Sequence, residues 1–393
     1  MSFADQAKDN LLNIIQEMSL HPEDFSRNPK KDFSRNRKLD FCTLLHLILS
    51  MQTGTLKDEL YKYFSYQTST ASTSAFLQQR SKLADNAFPY LFHSFNELYP
   101  YKLYKDKYHL LAVDGSSFTF TRNPLDPDSY FAPNNKTTNG YNQVHVIPVF
   151  DILSKRYTDC IVQPIRKKNE FRALSELIDR HVPVSGSVPI FIADRGFHSL
   201  NVFAHAIEHR AYFIIRATDV KMQRLLACDL PVGQDCFDIR IDRILTRTTS
   251  KKKWLHPELS EKYKTICRDV AFDYIDPEKS PEYSITLRVL RFQISDNNYE
   301  NIITNLPFEE FSADELKHLY HLRWSIETSF RELKHVIGAS NFHSKKREFI
   351  EMEIWARIIL YNFCSIITGH VVIKRKGSKH PLQVNYSVAY HAC

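Results

Sequence analysis

Four side chains able to bind a phosphate or a metal ion recur at helical spacing in the segment HLYHLRWSIETSFRELKHVIG. Tyr320, Arg323, Glu327 and Lys334 follow one another at spacings of 3, 4 and 7 residues, and on a helix they fall within a stripe about 60° wide. Apolar residues occupy the neighbouring stripe, so the helix is expected to bury one face and to carry an acid, two bases and a phenol along its edge. A carboxylate among cations suits a metal-assisted phosphate site, although the same spacing also occurs in ion pairs on solvated helices.

Two aspartates stand directly after short apolar runs. Residues 110–113 lead into Asp114, and residues 188–193 lead into Asp194. Such runs, closed by a turn residue, predict buried strands whose ends open towards solvent. Either aspartate alone also fits an Asx turn or a helix N-cap. The two aspartates together with Glu327 indicate a functional site more strongly than either aspartate alone.

Three converging carboxylates predict a metal site. Like charges repel unless divalent cations neutralise them, and oxygen ligands favour Mg²⁺ or Mn²⁺. Two such ions between Asp114, Asp194 and Glu327 can activate a water or a 3′-hydroxyl and stabilise the leaving oxygen of a phosphodiester.

At these residues the chain resembles a known family. Tyr320, Arg323, Glu327 and Lys334 are similar to the Tyr-Arg-Glu-Lys signature of a group of bacterial insertion-sequence DDE transposases. The segments Val113-Asp-Gly-Ser116 and Asp194-Arg-Gly-Phe197 look like the first and second aspartate motifs of that family. The resemblance extends over roughly residues 30–390.

The resemblance implies a ribonuclease H-like catalytic core and a role for each signature residue. Asp114, Asp194 and Glu327 become the metal-binding catalytic triad. The implied contacts to the phosphates of the transposon end are Tyr320, Arg323 and Lys334.

The order of predicted elements agrees with that fold. Strand-like runs are expected at 108–114, 143–152, 156–165, 188–194 and 211–216, with helices near 169–181 and 199–209. A three-stranded meander followed by alternating helices and strands describes a mixed α/β sheet. The predicted fold class is therefore α/β, with a ribonuclease H-like mixed-sheet core, a helical N-terminal domain and a β-rich insertion before the glutamate helix.

Four segments organise the chain in this interpretation. Residues 1–100 have helical periodicity and form a DNA-binding region, residues 101–216 form the first part of the core, residues 217–306 form the insertion, and residues 307–393 complete the core. A basic run in the first segment favours a phosphate-contacting arm, although such runs are also ordinary solvated loops. Its candidate DNA contacts are Arg35, Arg37 and Lys38. The later segment 76–82 resembles a helix start in the same family and adds Arg80 as a candidate contact to a base edge or a phosphate.

The insertion carries a second group of candidate DNA contacts. Its alternating runs predict strands, and a basic stretch within it holds Lys251, Lys252 and Lys253 beside Trp254. The resemblance implies a β-rich insertion here that clamps DNA. An aromatic ring beside cations can stack on an extruded base, but such a tryptophan is also a common packing residue.

Composition sets outer limits on function. The net charge of +7 in 393 residues is a mild excess that fits a polyanion partner through local patches. Seven dispersed cysteines without a CxxC pair argue against a zinc site and for free thiols in a reducing compartment. The N-terminus lacks a secretory signal, and the apolar stretch 354–373 contains Arg357, Asn362 and His370, so we expect a buried helix and no membrane association. A cytoplasmic, nucleoid-associated bacterial protein is expected.

Three functions remain open from the sequence. The first is a cut-and-paste transposase that binds terminal inverted repeats and target DNA as double-stranded partners, acting as a homodimer on DNA. The second is a nuclease of the same core without strand transfer. The third is an inactive or truncated DNA-binding relative that regulates transposition. The last is suggested by residues 387–393, which look like an uncapped helix where the family normally continues, so we expect a truncated chain or a helix completed by a partner.

Overall fold

Helices make up the N-terminal region of the chain in a computed structural model of the protein. The structure describes residues 2–35, 37–135, 137–184, 186–218, 226, 231, 236–248, 261–276, 278–296, 298–338, 341–370 and 388–389. The first five helices are α1 (Phe3–Leu20), α2 (Phe41–Ser50), α3 (Leu56–Tyr63), α4 (Thr73–Arg80) and α5 (Ala87–Glu97). Polar side chains begin them: Ser2 and Thr55 form capping boxes at α1 and α3, and Asp40 caps α2. The helical N-terminal region predicted from the periodicity is confirmed.

A large mixed sheet forms the centre of the molecule. Its strands are β1 (Tyr108–Val113), β2 (Ser116–Phe120), β3 (Tyr130–Phe131), β4 (Tyr141–Asp151), β5 (Arg156–Pro164), β6 (Val188–Ala193), β7 (Tyr212–Ala217), β8 (Phe237–Thr246), β9 (Tyr263–Thr265), β10 (Glu282–Ser295) and β11 (Asn298–Thr304). Two helices connect its parallel strands, α6 (Glu170–Asp179) and α7 (Leu200–Glu208). The predicted strand and helix sequence of the core is confirmed; the short β2 and β3 were not predicted.

Five strands reproduce the ribonuclease H-like arrangement. They lie in the order β5-β4-β1-β6-β7; β4 is antiparallel to β5 and β1, whereas β1, β6 and β7 are parallel to one another. Parallel neighbours need crossover connections, which α6 and α7 supply. This order sets the ends of β1 and β6 side by side at the centre of the sheet.

The strands between α7 and the glutamate helix extend the same sheet. β11 pairs antiparallel with β7, β10 pairs with β11, and β8 pairs with β10. The described part of the predicted insertion is thus β-rich and continues the core sheet through backbone hydrogen bonds along its edge.

The sheet is buried on both faces. Leu110 and Ala112 of β1 belong to one apolar cluster with the N-terminal helices, and Leu111 and Val113 belong to a second cluster with α6 and α7. Side chains of a strand alternate between faces, so a continuous apolar run such as β1 requires a layer of structure on each side. The result is a sheet between two layers.

After the sheet, the described residues include the helices α8 (Ala313–Leu322), α9 (Ser325–His335) and α10 (Arg347–His370). The prediction of one helix through residues 318–338 is wrong, because the structure divides this segment between α8 and α9. The backbone N–H groups of Arg323 and Trp324 bond to carbonyls three residues back, at Tyr320 and His321, which tightens the backbone into a 3₁₀-like junction between α8 and α9.

Helix α10 is the buried helix that the apolar stretch predicts. The amide of its Asn362 lies within the core, where Oδ1 accepts a hydrogen bond from the backbone N–H of Tyr157 over 2.8 Å. Across the described residues, no helix is both long and apolar enough to cross a membrane.

Candidate active site

The ends of β1 and β6 place two aspartates side by side. Val113 pairs with Ala193 in the parallel register, so Asp114 and Asp194 leave neighbouring strands at the same level of the sheet. Ligand sites of α/β sheets form at such carboxyl ends. The side chains of Asp114 and Asp194 are 26% and 33% exposed, which leaves their oxygens accessible from solvent.

The junction between α8 and α9 brings the third acid to the same place. Glu327 lies in the first turn of α9, where the helix dipole favours a carboxylate. On the preceding helix, the hydroxyl of Tyr320 donates a hydrogen bond to Oδ1 of Asp194 over 3.2 Å. Both halves of the signature therefore face the aspartates despite the break between the helices.

Arg323 connects two of the three acids. Its Nη2 donates to Oε1 of Glu327 over 2.9 Å, and its Nη1 lies 3.5 Å from Oδ2 of Asp114. Only 5% of Arg323 is exposed. A buried guanidinium needs carboxylate partners, so Arg323 neutralises the site from within the protein.

The surroundings shift the pKa values of several groups. Burial raises the pKa of Asp114, and the nearby Glu327 and Asp194 add to this, although Gly115 and Arg323 oppose it. Burial also raises the pKa of Tyr320 to about 12, so its phenol remains protonated and able to donate. Removal of the Asp114 carboxylate from water, beside two other acids, is the electrostatic condition in which a bound cation is favoured.

Lys334 lies on α9 beyond Glu327. Its Nζ donates to Oγ of Ser116 over 2.7 Å and lies 4.8 Å from the centre of the Phe118 ring. Burial lowers the pKa of the Lys334 ammonium. All six residues named from the two aspartate motifs and the signature are therefore brought to one edge of the sheet by β1, β6, α8 and α9.

A histidine and a glutamate that the sequence did not single out support the two aspartate loops. Nε2 of His145, on β4, lies 2.8 Å from Oε1 of Glu170 at the start of α6. A methyl group built on Gly115 would overlap His145 and come within 2.8 Å of Glu170, whereas one on Gly196 would lie 3.5 Å from Oε2 of Glu170. Glycine after Asp114 is thus required by the close approach of His145. In the sequence, the one sign of this supporting role is that a histidine, His145, interrupts an otherwise apolar strand run.

Arg216 is a second cation that the sequence did not single out. It extends from β7, with Nη1 3.9 Å from Oδ1 of Asp194 and Nη2 3.0 Å from Oε1 of Glu300. Arg216 ends a predicted strand and carries no motif, so only the pairing of β7 with β6 reveals its position.

The N-terminal candidates separate into two groups. Arg35 and Arg37 are exposed and line a cavity of about 240 Å³ together with Lys30, Lys31 and Lys82. Lys38 is also exposed, but its Nζ bonds to Ser69 and lies over the ring of Phe64. Phosphate contacts by Arg35, Arg37 and Lys38 stay predictions.

The prediction that Arg80 contacts DNA is wrong. Its side chain is fully buried; Nη1 lies 2.7 Å from Oε1 of Glu353, and Nη2 donates to the carbonyl of Phe349. A guanidinium without exposed surface cannot reach a DNA phosphate. The prediction failed because basic character alone does not distinguish a surface cation from one that ties α4 to α10.

Two predicted elements lie outside the described residues. They are the basic cluster Lys251, Lys252, Lys253 and Trp254, and most of the C-terminal segment 387–393.

Three carboxylates lie at the open end of the mixed sheet, with a basic edge beside them, an arrangement of the kind that can hold divalent cations at a phosphodiester. A family model described as the transposase DDE domain matches residues 105–363. This span is more than half of the chain and contains Asp114, Asp194 and Glu327. The chain belongs to the transposase DDE domain family.

Individual proteins show more limited similarity. Transposase InsG for insertion sequence element IS4 of Escherichia coli (strain K12) is 24% identical over 262 residues, which are 64% of this chain and 50% of that protein. Putative transposase InsL for insertion sequence element IS186A of the same strain is 33% identical over 58 residues, 15% of this chain and 16% of that protein. The chain therefore spans about half the length of the first relative and a small part of the second.

Among solved structures, the chain matches the piggyBac transposase synaptic complex with hairpin DNA with a TM-score of 0.46 and 10% identity. The match covers 89% of this chain and 68% of that one.

Proposed function

We propose that this protein is a DNA transposase that cuts strands at transposon ends and joins the resulting 3′-hydroxyl to target DNA. The observation that carries the proposal is the register of β1 and β6, which sets Asp114 and Asp194 side by side with Glu327 facing them. Membership of the transposase DDE domain family supports the same reaction class.

The donor set fits two divalent cations of the Mg²⁺ or Mn²⁺ type. Carboxylates are the ligands such hard cations prefer, and Asp114, Asp194 and Glu327 each keep a quarter to a third of the side chain exposed. When bound, such ions supply a polarised attacking oxygen and stabilise the leaving oxygen. The three residues would hold the ions, and Arg323 would have to release Asp114 and Glu327 as they bind.

The basic and aromatic groups beside the acids would hold the DNA end. Lys334 reaches the edge of the site from α9, and an Arg323 released from its carboxylates would face the same scissile phosphate. A phosphate beside these two cations exchanges its counterions for protein contacts. Trp324 is 61% exposed directly after Arg323 and offers an apolar face to the same DNA.

His145 and Glu170 would keep the acid-bearing loops in place. Their hydrogen bond lies against Gly115 and beside Gly196, the glycines that follow the two aspartates. Catalytic carboxylates must be held to within a fraction of an ångström, and supporting residues provide that restraint. His145 is therefore a positioning residue in this proposal.

The proposed partners are double-stranded DNA at the terminal inverted repeats and at the target, with two copies of the chain acting on one pair of ends. The exposed cations Arg35 and Arg37 around the N-terminal cavity would contact phosphates away from the cut.

One assay separates this proposal from its two alternatives. The protein is incubated with a labelled DNA end taken from inverted repeats flanking the gene, with Mg²⁺ and a supercoiled plasmid. Joined product supports the transposase. Nicked end without joining favours a nuclease of the same core, and a mobility shift without either product favours a non-catalytic DNA-binding relative.

A further inference from the structure

We propose that Asp179, His205 and His209 form a site for a divalent transition-metal ion of the zinc type, separate from the three acids. Asp179 ends α6, His205 lies in the last turn of α7, and His209 follows directly after that helix as its C-cap. Their candidate ligand atoms all lie within 4.8 Å of one another. Histidines at i and i+4 present their rings on one face of a helix, which is a common geometry for binding zinc.

Oδ1 of Asp179 is the centre of the cluster. It lies 2.6 Å from Nδ1 of His205 and 3.4 Å from Nδ1 of His209. Ligands of a tetrahedral zinc ion at about 2.0–2.1 Å are separated by about 3.3 Å, so an ion requires the short hydrogen bond between Asp179 and His205 to open. Nδ1 of His209 lies 3.0 Å from the backbone carbonyl oxygen of His205 and would also have to leave that oxygen. Asp179 and His209 are each 40% exposed, which leaves a path for the ion and for a water as fourth ligand.

The outer nitrogen of His205 already has the partner that a metal-bound histidine needs. Nε2 lies 2.9 Å from Oδ2 of Asp273, and Asp273 is itself held by Asn201, whose Nδ2 donates over 2.8 Å. A carboxylate on the far nitrogen orients the ring and increases its basicity towards a metal. His205 is 7% exposed, so this orientation is fixed within the protein.

The site lies away from the catalytic edge. Glu170 at the start of α6 is beside the aspartate loops, and Asp179 is nine residues further along the same helix, about 13 Å at the rise of an α-helix. Nitrogen ligands also select a different class of ion, since imidazole suits Zn²⁺, Co²⁺ and Ni²⁺, whereas the three acids suit Mg²⁺ and Mn²⁺.

An ion here would join α6 to the end of α7, because Asp179 comes from the first helix and the two histidines from the end of the second. The hydrogen bond between His205 and Asp273 extends this junction to the loop between β9 and β10. A metal bound by the folded chain and not by the unfolded one adds its binding free energy to the stability of this junction.

Co²⁺ titration of the full chain, followed by visible absorption, tests the site. To empty the acid site, the background variant carries Asp114→Asn and Glu327→Gln. We expect one Co²⁺ per chain with the intense visible bands of four-coordinate geometry. His209→Ala should weaken binding at least tenfold, and Asp273→Asn should weaken it about 10- to 100-fold. His21→Ala is the matched control, because His21 is 71% exposed and contacts only Glu23 among the described ion-pair partners.

Thermal unfolding gives a second readout. Zn²⁺ should raise the unfolding temperature of the parent and the His21→Ala control but not that of His209→Ala. Equal Co²⁺ binding by the parent and His209→Ala would overturn the proposal, leaving His205 as a hydrogen-bonded link between Asp179 and Asp273. A thiolate charge-transfer band would also overturn it, since it would place the ion on exposed cysteines such as Cys236 or Cys267.

Discussion

Arg323 donates a hydrogen bond to Glu327 over 2.9 Å, across the tightened junction between α8 and α9. The same guanidinium reaches Asp114. One cation of the chain therefore neutralises two of the carboxylates that we propose to hold metal ions. Arg323 and the proposed ions would compete for the same oxygens. Without ions, Arg323 reduces the repulsion between the carboxylates. With ions bound, its guanidinium would be free to contact a DNA phosphate.

Replacing Arg323 with Met should strengthen Mn²⁺ binding about five- to tenfold, because an ion pair worth about 1 kcal/mol no longer competes with the ion. Mn²⁺ titration followed by electron paramagnetic resonance measures this. DNA cleavage should fall in the same variant. Arg331→Met, an exposed change on α9, is the control. Unchanged or weaker Mn²⁺ binding in the Arg323 variant would contradict the competition between Arg323 and the ions.

Replacing Lys334 with Gln should remove one phosphate contact. The slope of log binding constant against log salt concentration should become shallower by about 0.9, because one fewer counterion is released. Fluorescence anisotropy with a labelled transposon end at several salt concentrations gives the slope. Lys102→Gln, an exposed lysine just before β1 at the opposite end of that strand, is the control. Parallel lines for both variants and the parent would return Lys334 to a structural role.

Gly115 and Gly196 offer a matched pair of substitutions. Gly115→Ala should reduce cleavage at least about tenfold, because its methyl group overlaps His145 and must displace the Asp114 loop. Gly196→Ala should be tolerated, because its methyl group meets Glu170 at 3.5 Å, an ordinary contact. Single-turnover cleavage and thermal unfolding are measured together. Equal cleavage by the two variants, at equal stability, would contradict the positioning role of His145.

Breaking the pair between Arg80 and Glu353 should cost stability without changing DNA affinity. Removing one member of a buried ion pair costs about 3–5 kcal/mol. Urea unfolding of Arg80→Met, with anisotropy of the folded protein, checks both parts. If Arg80→Met had a normal unfolding free energy but bound DNA more weakly, Arg80 would be a DNA contact despite its burial.

The same pair predicts a pH dependence. Burial would raise the pKa of Glu353, but Arg80 and His343 more than offset it and lower the value to about 2. Because the folded pKa lies below the ordinary value of about 4.3, the stabilisation is fully present above pH 4.3 and is lost as pH falls towards 2. Unfolding free energies of Glu353→Gln and the parent should converge across that range. A constant difference down to pH 2 would contradict the assignment.

The elements that carry the three acids could be predicted because local pattern and tertiary position agree there. Asp114 and Asp194 follow short apolar runs that predict buried strands, and the structure has strands there. The spacing of Tyr320, Arg323, Glu327 and Lys334 still places them together although the helix is locally tightened. The signature is robust because a 3₁₀-like junction retains right-handed helical dihedrals at Arg323 and Trp324.

The remaining features depend on contacts between distant segments. Arg80 resembles a surface cation until Glu353, 273 residues away, is placed beside it. His145 and Glu170 become a supporting pair only when β4 and α6 meet at Gly115. Arg216 reaches Asp194 only through the pairing of β7 with β6. None of these distances has a local sequence signal, since each joins segments that only the folded chain brings together.

Cleavage of a labelled transposon end by Asp114→Ala, Asp194→Ala and Glu327→Ala tests the central claim most directly. Each reaction is run in Mg²⁺ and in Mn²⁺, with end binding measured in parallel and with Asp314→Ala, whose side chain is 96% exposed on α8, as the control. We predict no cleavage by the three variants, near-normal end binding by all of them, and full cleavage by the control. An Asp194→Ala protein that nicks the end at the parental rate would contradict the three-carboxylate site.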